Sequence, residues 1–175
     1  MLSPTTVSDE ILCGNRVLLR AMGEEQGNST ITGQVVELKD GTASVSVDDS
    51  GQVISVPVKD LKNLPRRFAG TLMKYSTKGI LKNWKVRYFE VWSNTLTYRE
   101  ENTPTYKGEL TITPQTEIVS FEFRTPREQP PLKYAFGILN DGKVFRVCSD
   151  DAEQIEELKR ALQDAINDSV MYVPL

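Results

Sequence analysis

The chain has no histidine, only two cysteines, and no aromatic residue before Phe68. Without histidine, Ser-His-Asp triads, Cys-His pairs and His-ligated metal sites are all excluded. Cys13 and Cys148 lie in different halves, in neither a metal nor a redox spacing, and read as reduced thiols of a cytoplasmic protein. No apolar run approaches the ~20 residues that cross a bilayer, so no transmembrane segment is expected and membrane contact would be peripheral. The opening stretch MLSPTTVSDEIL lacks the basic region and apolar core of a signal peptide. Phosphate-binding glycine loops of the GxxxxGK(S/T) and GxGxxG types are missing, and no nucleophile–base pair stands out. No catalytic residue, metal or cofactor is therefore assigned, and an enzyme is not expected.

The 175 residues that are present, 39% hydrophobic and 26% charged, make a globular chain with room for one full domain or two small ones. The net charge of −3 hides an asymmetry. Residues 1–65 hold five basic and nine acidic side chains, whereas residues 66–175 hold sixteen and fifteen. All 14 aromatics fall in the second part. Such a composition shift, at Leu64-Pro65-Arg66-Arg67, marks a boundary between a domain at 1–64 and another at 65–175.

The first segment reads as five short strands separated by turns. Asp40-Gly41 forms a tight hairpin, because glycine takes the positive φ that a type I′ turn requires. Ala43, Val45 and Val47 alternate with Thr42, Ser44 and Ser46, the period of a half-buried strand. Ile54, Val56 and Val58 alternate next, and Asp60-Leu61 closes the unit as a short helical turn. This is the size of a small SH3-like β-barrel. The run from Gly14 to Leu61 resembles Tudor-like barrels and the small barrel that precedes some myosin motors. Lacking Phe, Tyr and Trp, it has neither a cage for methylated cations nor a groove for proline-rich peptides. Its net acidity argues against nucleic acid. It reads as a spacer or a docking module for a protein partner.

The second segment is expected to hold seven strands, from Phe68 to Ser149, followed by one amphipathic helix. Ile155, Leu158, Leu162, Ala165 and Ile166 recur at spacings of three and four, with Ser149 or Asp150 as cap. Between Arg66 and Phe89 there are seven basic residues and no acidic one. Lys74 lies late in the first strand, Lys85 and Arg87 share a face of the second, and Lys78 and Lys82 occupy the loop between them. A hairpin of this kind gathers cations around one mouth, which suits clustered phosphates. Charge alone does not separate lipid from nucleic acid there. Ile80, Leu81 and Lys82, at or near the loop tip, are the candidates for membrane contact, while Trp84 is expected in the core.

"GTLMKYSTKGILKNWKVRYFEV" at Gly70–Val91 resembles the first hairpin of pleckstrin homology (PH) domains. "LTYRE" at Leu96–Glu100 and "YKGELTI" at Tyr106–Ile112 resemble their next two strands, and the resemblance extends over residues 68–168. It implies a seven-stranded, partly open barrel capped by a C-terminal α-helix, often with a phosphoinositide headgroup site. Carried over by position, that site would comprise Lys74, Lys78, Lys85, Arg87, Tyr98 and Lys107. In two places the chain departs from the pattern. Glu90 stands where an apolar residue is usual and is expected to face outward, and Leu158 takes the place of a helix tryptophan.

These readings point to a mainly β, two-domain, non-catalytic adaptor at the cytoplasmic membrane surface. Its PH domain would bind phosphoinositide or another anionic lipid, and its first barrel would dock a protein. The alternative is a cytoskeletal or motor-associated interaction scaffold whose PH domain does not bind lipid.

Overall fold

The computed structural model describes residues 11–20, 30–48, 50–77, 82–103 and 105–170. The chain divides into two compact units, Met1–Pro65 and Arg66–Leu175.

The first unit contains β1 (Arg16–Arg20), β2 (Thr30–Lys39), β3 (Thr42–Val47), β4 (Val53–Pro57) and β5 (Leu61–Asn63). They form one antiparallel sheet in the order β4-β3-β2-β1-β5, so the last strand returns to the far edge beside β1. At the β2–β3 turn, Asp40 and Gly41 both take positive φ (48° and 75°), the geometry a two-residue hairpin needs to match strand twist. Alternation puts Val17, Leu19, Val35, Ala43 and Val45 in an aliphatic core. A bulge between Val35 and Glu37 breaks that alternation and leaves Val36 exposed. The helical turn expected at Asp60-Leu61 lies at Val58–Asp60, as one 3-10 turn, and Leu61 already belongs to β5. Arg16 is buried on β1, where its guanidinium pairs with the Asp48 carboxylate.

The second unit contains β6 (Arg66–Ser76), β7 (Asn83–Trp92), β8 (Thr95–Arg99), β9 (Tyr106–Thr111), β10 (Glu117–Val119), β11 (Tyr134–Asn140), β12 (Lys143–Ser149) and α1 (Ala152–Val170). The seven strands make one antiparallel sheet in the order β10-β11-β12-β6-β7-β8-β9. Sheet neighbours are consecutive in the chain except where β12 comes back to β6, and the consecutive strands β9 and β10 stand at opposite edges. That closure is narrow, holding only the pairs Val147↔Lys74 and Cys148↔Met73. The sheet therefore curls into a half-barrel rather than sealing, and α1 fills the open side.

Leu158 and Leu162, both fully buried, pack among Leu72, Phe89, Leu96 and Ile138. Burying one such leucine contributes roughly 1.5–3 kcal/mol. The helix is capped by Asp151 rather than by Ser149 or Asp150. The Asp151 carboxylate accepts from the backbone N–H groups of Glu153 (2.9 Å) and Gln154 (3.2 Å). Ser149 supports the cap indirectly, its hydroxyl accepting from Asp151 N–H at 3.1 Å. Near the start of β6, Arg67 pairs with Asp168 of the helix. The helix thus closes the end of the sheet where β6 begins, which leaves the end where β6 finishes open.

Candidate functional site

Period-two alternation carries one face of β6 and β7 from apolar to cationic. On β6, Leu72 is core and Lys74 follows on the same face; on β7, Lys85 and Arg87 precede Phe89 and Val91 on theirs. The face that buries Phe89 inside the half-barrel emerges at the open end as lysine and arginine. Pairing sets Lys74 directly opposite Lys85, with Arg87 opposite Leu72.

A cavity of about 520 Å³ occupies this end, within the usual range for small-molecule sites. Lys74, Lys85, Arg87, Tyr98 and Lys107 all line it. Across the sheet they run from β6 through β7 and β8 to β9, so four neighbouring strands contribute. Lys78 lies outside the described residues, as do Ile80 and Leu81. Lys82 is exposed and is not part of the lining.

Three aromatic rings underlie the cations. Phe89 and Tyr98 have ring centroids 5.9 Å apart, Tyr98 and Phe145 5.4 Å, and Phe89 meets Phe145 edge-on at 6.1 Å. The Lys74 ammonium rests 4.5 Å from the Phe145 centroid and 4.9 Å from that of Tyr98, and donates to the Tyr75 carbonyl at 3.2 Å. Ring faces attract a cation and help to hold Lys74 in place at the cavity wall. Burial pushes the Tyr98 phenol above the ordinary tyrosine range, and the Arg87 charge pulls it partly back. Tyr98 is therefore a neutral hydrogen-bond donor at physiological pH. Its position requires Gly108, its pair on β9, where any Cβ would overlap the Tyr98 hydroxyl.

Sequence reasoning missed a further cation. Lys143, the first residue of β12, lines the same cavity, together with Asn140 and Asp141 of the β11–β12 hairpin. Its available signal was the Asp141-Gly142 turn (φ 48° and 70°), which puts Lys143 at a hairpin tip. Acidic groups are also present. Glu109 and Asp141 are in the lining, and Glu100, just after β8, lies 3.3 Å from Lys107 and 3.8 Å from Arg87. Among the described residues no cluster of three or more His, Cys, Asp or Glu is placed to hold a metal ion.

Two expectations are corrected here. Trp84 is outside the core: it is half-buried opposite Tyr75, 5.5 Å from that ring and 6.3 Å from Phe121. Glu90 does lie on the face opposite Phe89, yet it is only 8% exposed, with its carboxylate 4.0 Å from Arg99. Alternation set the direction of the side chain, and packing on that face decided its burial.

Seven antiparallel strands curl into a half-barrel, a single C-terminal helix fills one open side, and the first hairpin frames a cationic mouth at the other end. The second unit has the pleckstrin homology fold. Solved structures similar to the chain include PH domains. That of human pleckstrin homology domain-containing protein family A member 5 is 25% identical, with a TM-score of 0.47, covering 69% of this chain and 88% of its own. The C-terminal PH domain of human pleckstrin in solution is 20% identical, with a TM-score of 0.49, covering 59% and 81%. A crystal structure of the pleckstrin C-terminal PH domain is also 20% identical, with a TM-score of 0.48, covering 59% and 98%. No protein-family model and no curated protein sequence matches the chain.

Proposed function

We propose that the PH unit binds phosphoinositide headgroups at an anionic membrane surface, and that the chain is a non-catalytic adaptor whose first unit docks a protein partner. The observation that carries this reading is the directly opposed pair Lys74 and Lys85 on the cavity wall. Two like charges across a ladder repel each other, and an anion between them turns that cost into attraction. Arg87 adds paired donors suited to phosphate oxygens, and Lys107 and Lys143 extend the positive lining on either side. Tyr98 supplies a neutral O–H. Among the described residues no helix is long and apolar enough to cross a membrane, so attachment would be peripheral and mainly electrostatic, weakening as salt rises.

The acidic side chains Glu109 and Asp141 in the same lining favour the second reading, an interaction scaffold whose mouth takes no lipid. Co-sedimentation with vesicles containing phosphatidylinositol bisphosphate separates the two. The natural chain should pellet with the vesicles and the Lys74→Ala/Arg87→Ala variant should stay in solution. Equal behaviour of both chains would remove these residues from any lipid contact and leave the scaffold reading.

A further inference from the structure

We propose that Glu100 is a specificity-determining residue of this mouth, a built-in carboxylate that competes for its β7–β9 side and limits how many phosphates a headgroup can place there. The inference rests on the headgroup reading above and deepens it.

The lining is not uniform. In sheet order, Lys143 stands on β12, Lys74 on β6, Lys85 and Arg87 on β7, and Lys107 on β9. At the β9 side a single oxygen, Glu100 Oε1, serves two cations: Lys107 Nζ at 3.3 Å and Arg87 Nη2 at 3.8 Å. On the other side, Lys85 and Lys143 make no ion pair among the described residues. Asp141 lines that side without an ion pair to either lysine among the described residues, whereas at the β9 side the carboxylate is in direct contact with the cations.

Glu100 is 46% exposed and Lys107 49%, so their contact is a solvent-screened pair that an arriving phosphate exchanges at little cost. What persists after the exchange is the carboxylate charge itself, tethered at the end of β8. A first phosphate can settle between Lys74 and Lys85, away from it. A second or third, reaching towards Arg87 and Lys107, brings nearly two negative charges each into its neighbourhood. Repulsion therefore grows with phosphate number. Affinity should rise less steeply along an inositol phosphate series than the count of basic residues implies.

The test is calorimetric titration of the full chain with inositol mono-, bis- and tetrakisphosphate, natural against Glu100→Gln. The amide keeps the shape and removes the charge, and an unchanged melting temperature verifies the fold. Relief of Coulomb repulsion over about 5 Å, at the near-water effective dielectric of a solvent-exposed carboxylate, corresponds to a gain of about five- to tenfold for the tetrakisphosphate. For the monophosphate the gain should stay below about twofold. In a Lys107→Met background the tetrakisphosphate gain should shrink, because part of the carboxylate's effect passes through that ammonium. A gain that is absent, or equal across the series, would overturn the role of Glu100 while leaving the headgroup site standing. Failure of both chains to bind any of the three would overturn the headgroup reading and this inference with it.

Discussion

Lys74 and Lys85 face each other directly across the β6–β7 ladder, on the same side of the sheet as Leu72 and Phe89. Two residues further inside, Leu72 opposite Arg87 is already buried, and two beyond that Phe89 lies fully buried opposite Gly70. A cross-strand position this close to the core would ordinarily go to an apolar pair or to opposite charges. Retaining two ammonium groups there sacrifices some fold stability in favour of a place for an anion.

That trade can be measured directly. Lys85→Gln removes the like-charge opposition and should stabilise the PH unit by up to about 0.5 kcal/mol, a rise of roughly 2–4 °C in melting temperature. The same variant should bind inositol bisphosphate more weakly. Calorimetry reads both, and a variant that loses stability and keeps its affinity would contradict the anion-site reading.

Gly108 sets the height of Tyr98. A Cβ at this position overlaps the Tyr98 hydroxyl, and Tyr98 is wedged against Phe89 and Phe145. Gly108→Ala should cost about 1–3 kcal/mol through overpacking. It should also shift the Tyr98 ring resonances, with those of Phe145 following, because the two rings share the floor beneath Lys74. Unchanged ring shifts would mean that Tyr98 is not pinned from β9.

The two cysteines should react very differently. Cys13 is exposed, whereas Cys148 is buried on β12. Burial is the main reason that the Cys148 thiol is pushed up to about 11 from its ordinary 9.0. At pH 8 a thiol reagent should label Cys13 promptly and reach Cys148 only on unfolding. Because the folded state holds this proton more tightly, its contribution to stability is complete below pH 9 and is lost as pH rises through about 11. A melting temperature that climbs between pH 9 and 11 would contradict this assignment.

Arg146 and Glu128 latch the segment between β10 and β11 onto the sheet. The Arg146 guanidinium lies over Phe121 (5.2 Å) and Tyr75 (5.4 Å), and donates to Glu128 Oε2 at 2.9 Å. The Arg146 hydrogen bond, aided by the Arg124 backbone N–H, holds the Glu128 carboxyl below the ordinary 4.5. A depressed carboxyl contributes stability above pH 4.5 that disappears as pH falls through its lowered value. Protection factors of the amides in residues 120–132 should therefore fall on acidification, and Glu128→Gln should bring part of that loss to neutral pH. Equal exchange in both chains at pH 7 would leave the aromatic contacts as the whole latch.

Much of this was readable locally. Asp40-Gly41 specifies its turn because both residues must tolerate positive φ. The seven strands and the helix of the second unit follow from alternation and from the three- and four-residue spacing of Ile155, Leu158, Leu162 and Ile166. That Lys85 and Arg87 share a face needs nothing beyond the two-residue period. Other features were illegible for definable reasons. The cap is Asp151 and not Ser149 or Asp150, because the residue that starts the helix depends on where β12 releases the chain. Trp84 sits beside Phe121 and not in the core, because a segment some 35 residues downstream returns to it.

The sequence by itself determined the direction of each side chain from its strand, the placement of the turns, and the contrast between an aromatic-free first unit and an aromatic second one. These are consequences of local backbone geometry and composition. Only the tertiary structure decided which charges meet. Lys143 joins Lys74 in one cavity, and Glu100 reaches both Arg87 and Lys107, because a curled antiparallel sheet brings the ends of β6, β8 and β11 to the same rim. Electrostatic interaction falls off with distance in space, and separation along the chain carries no record of that distance.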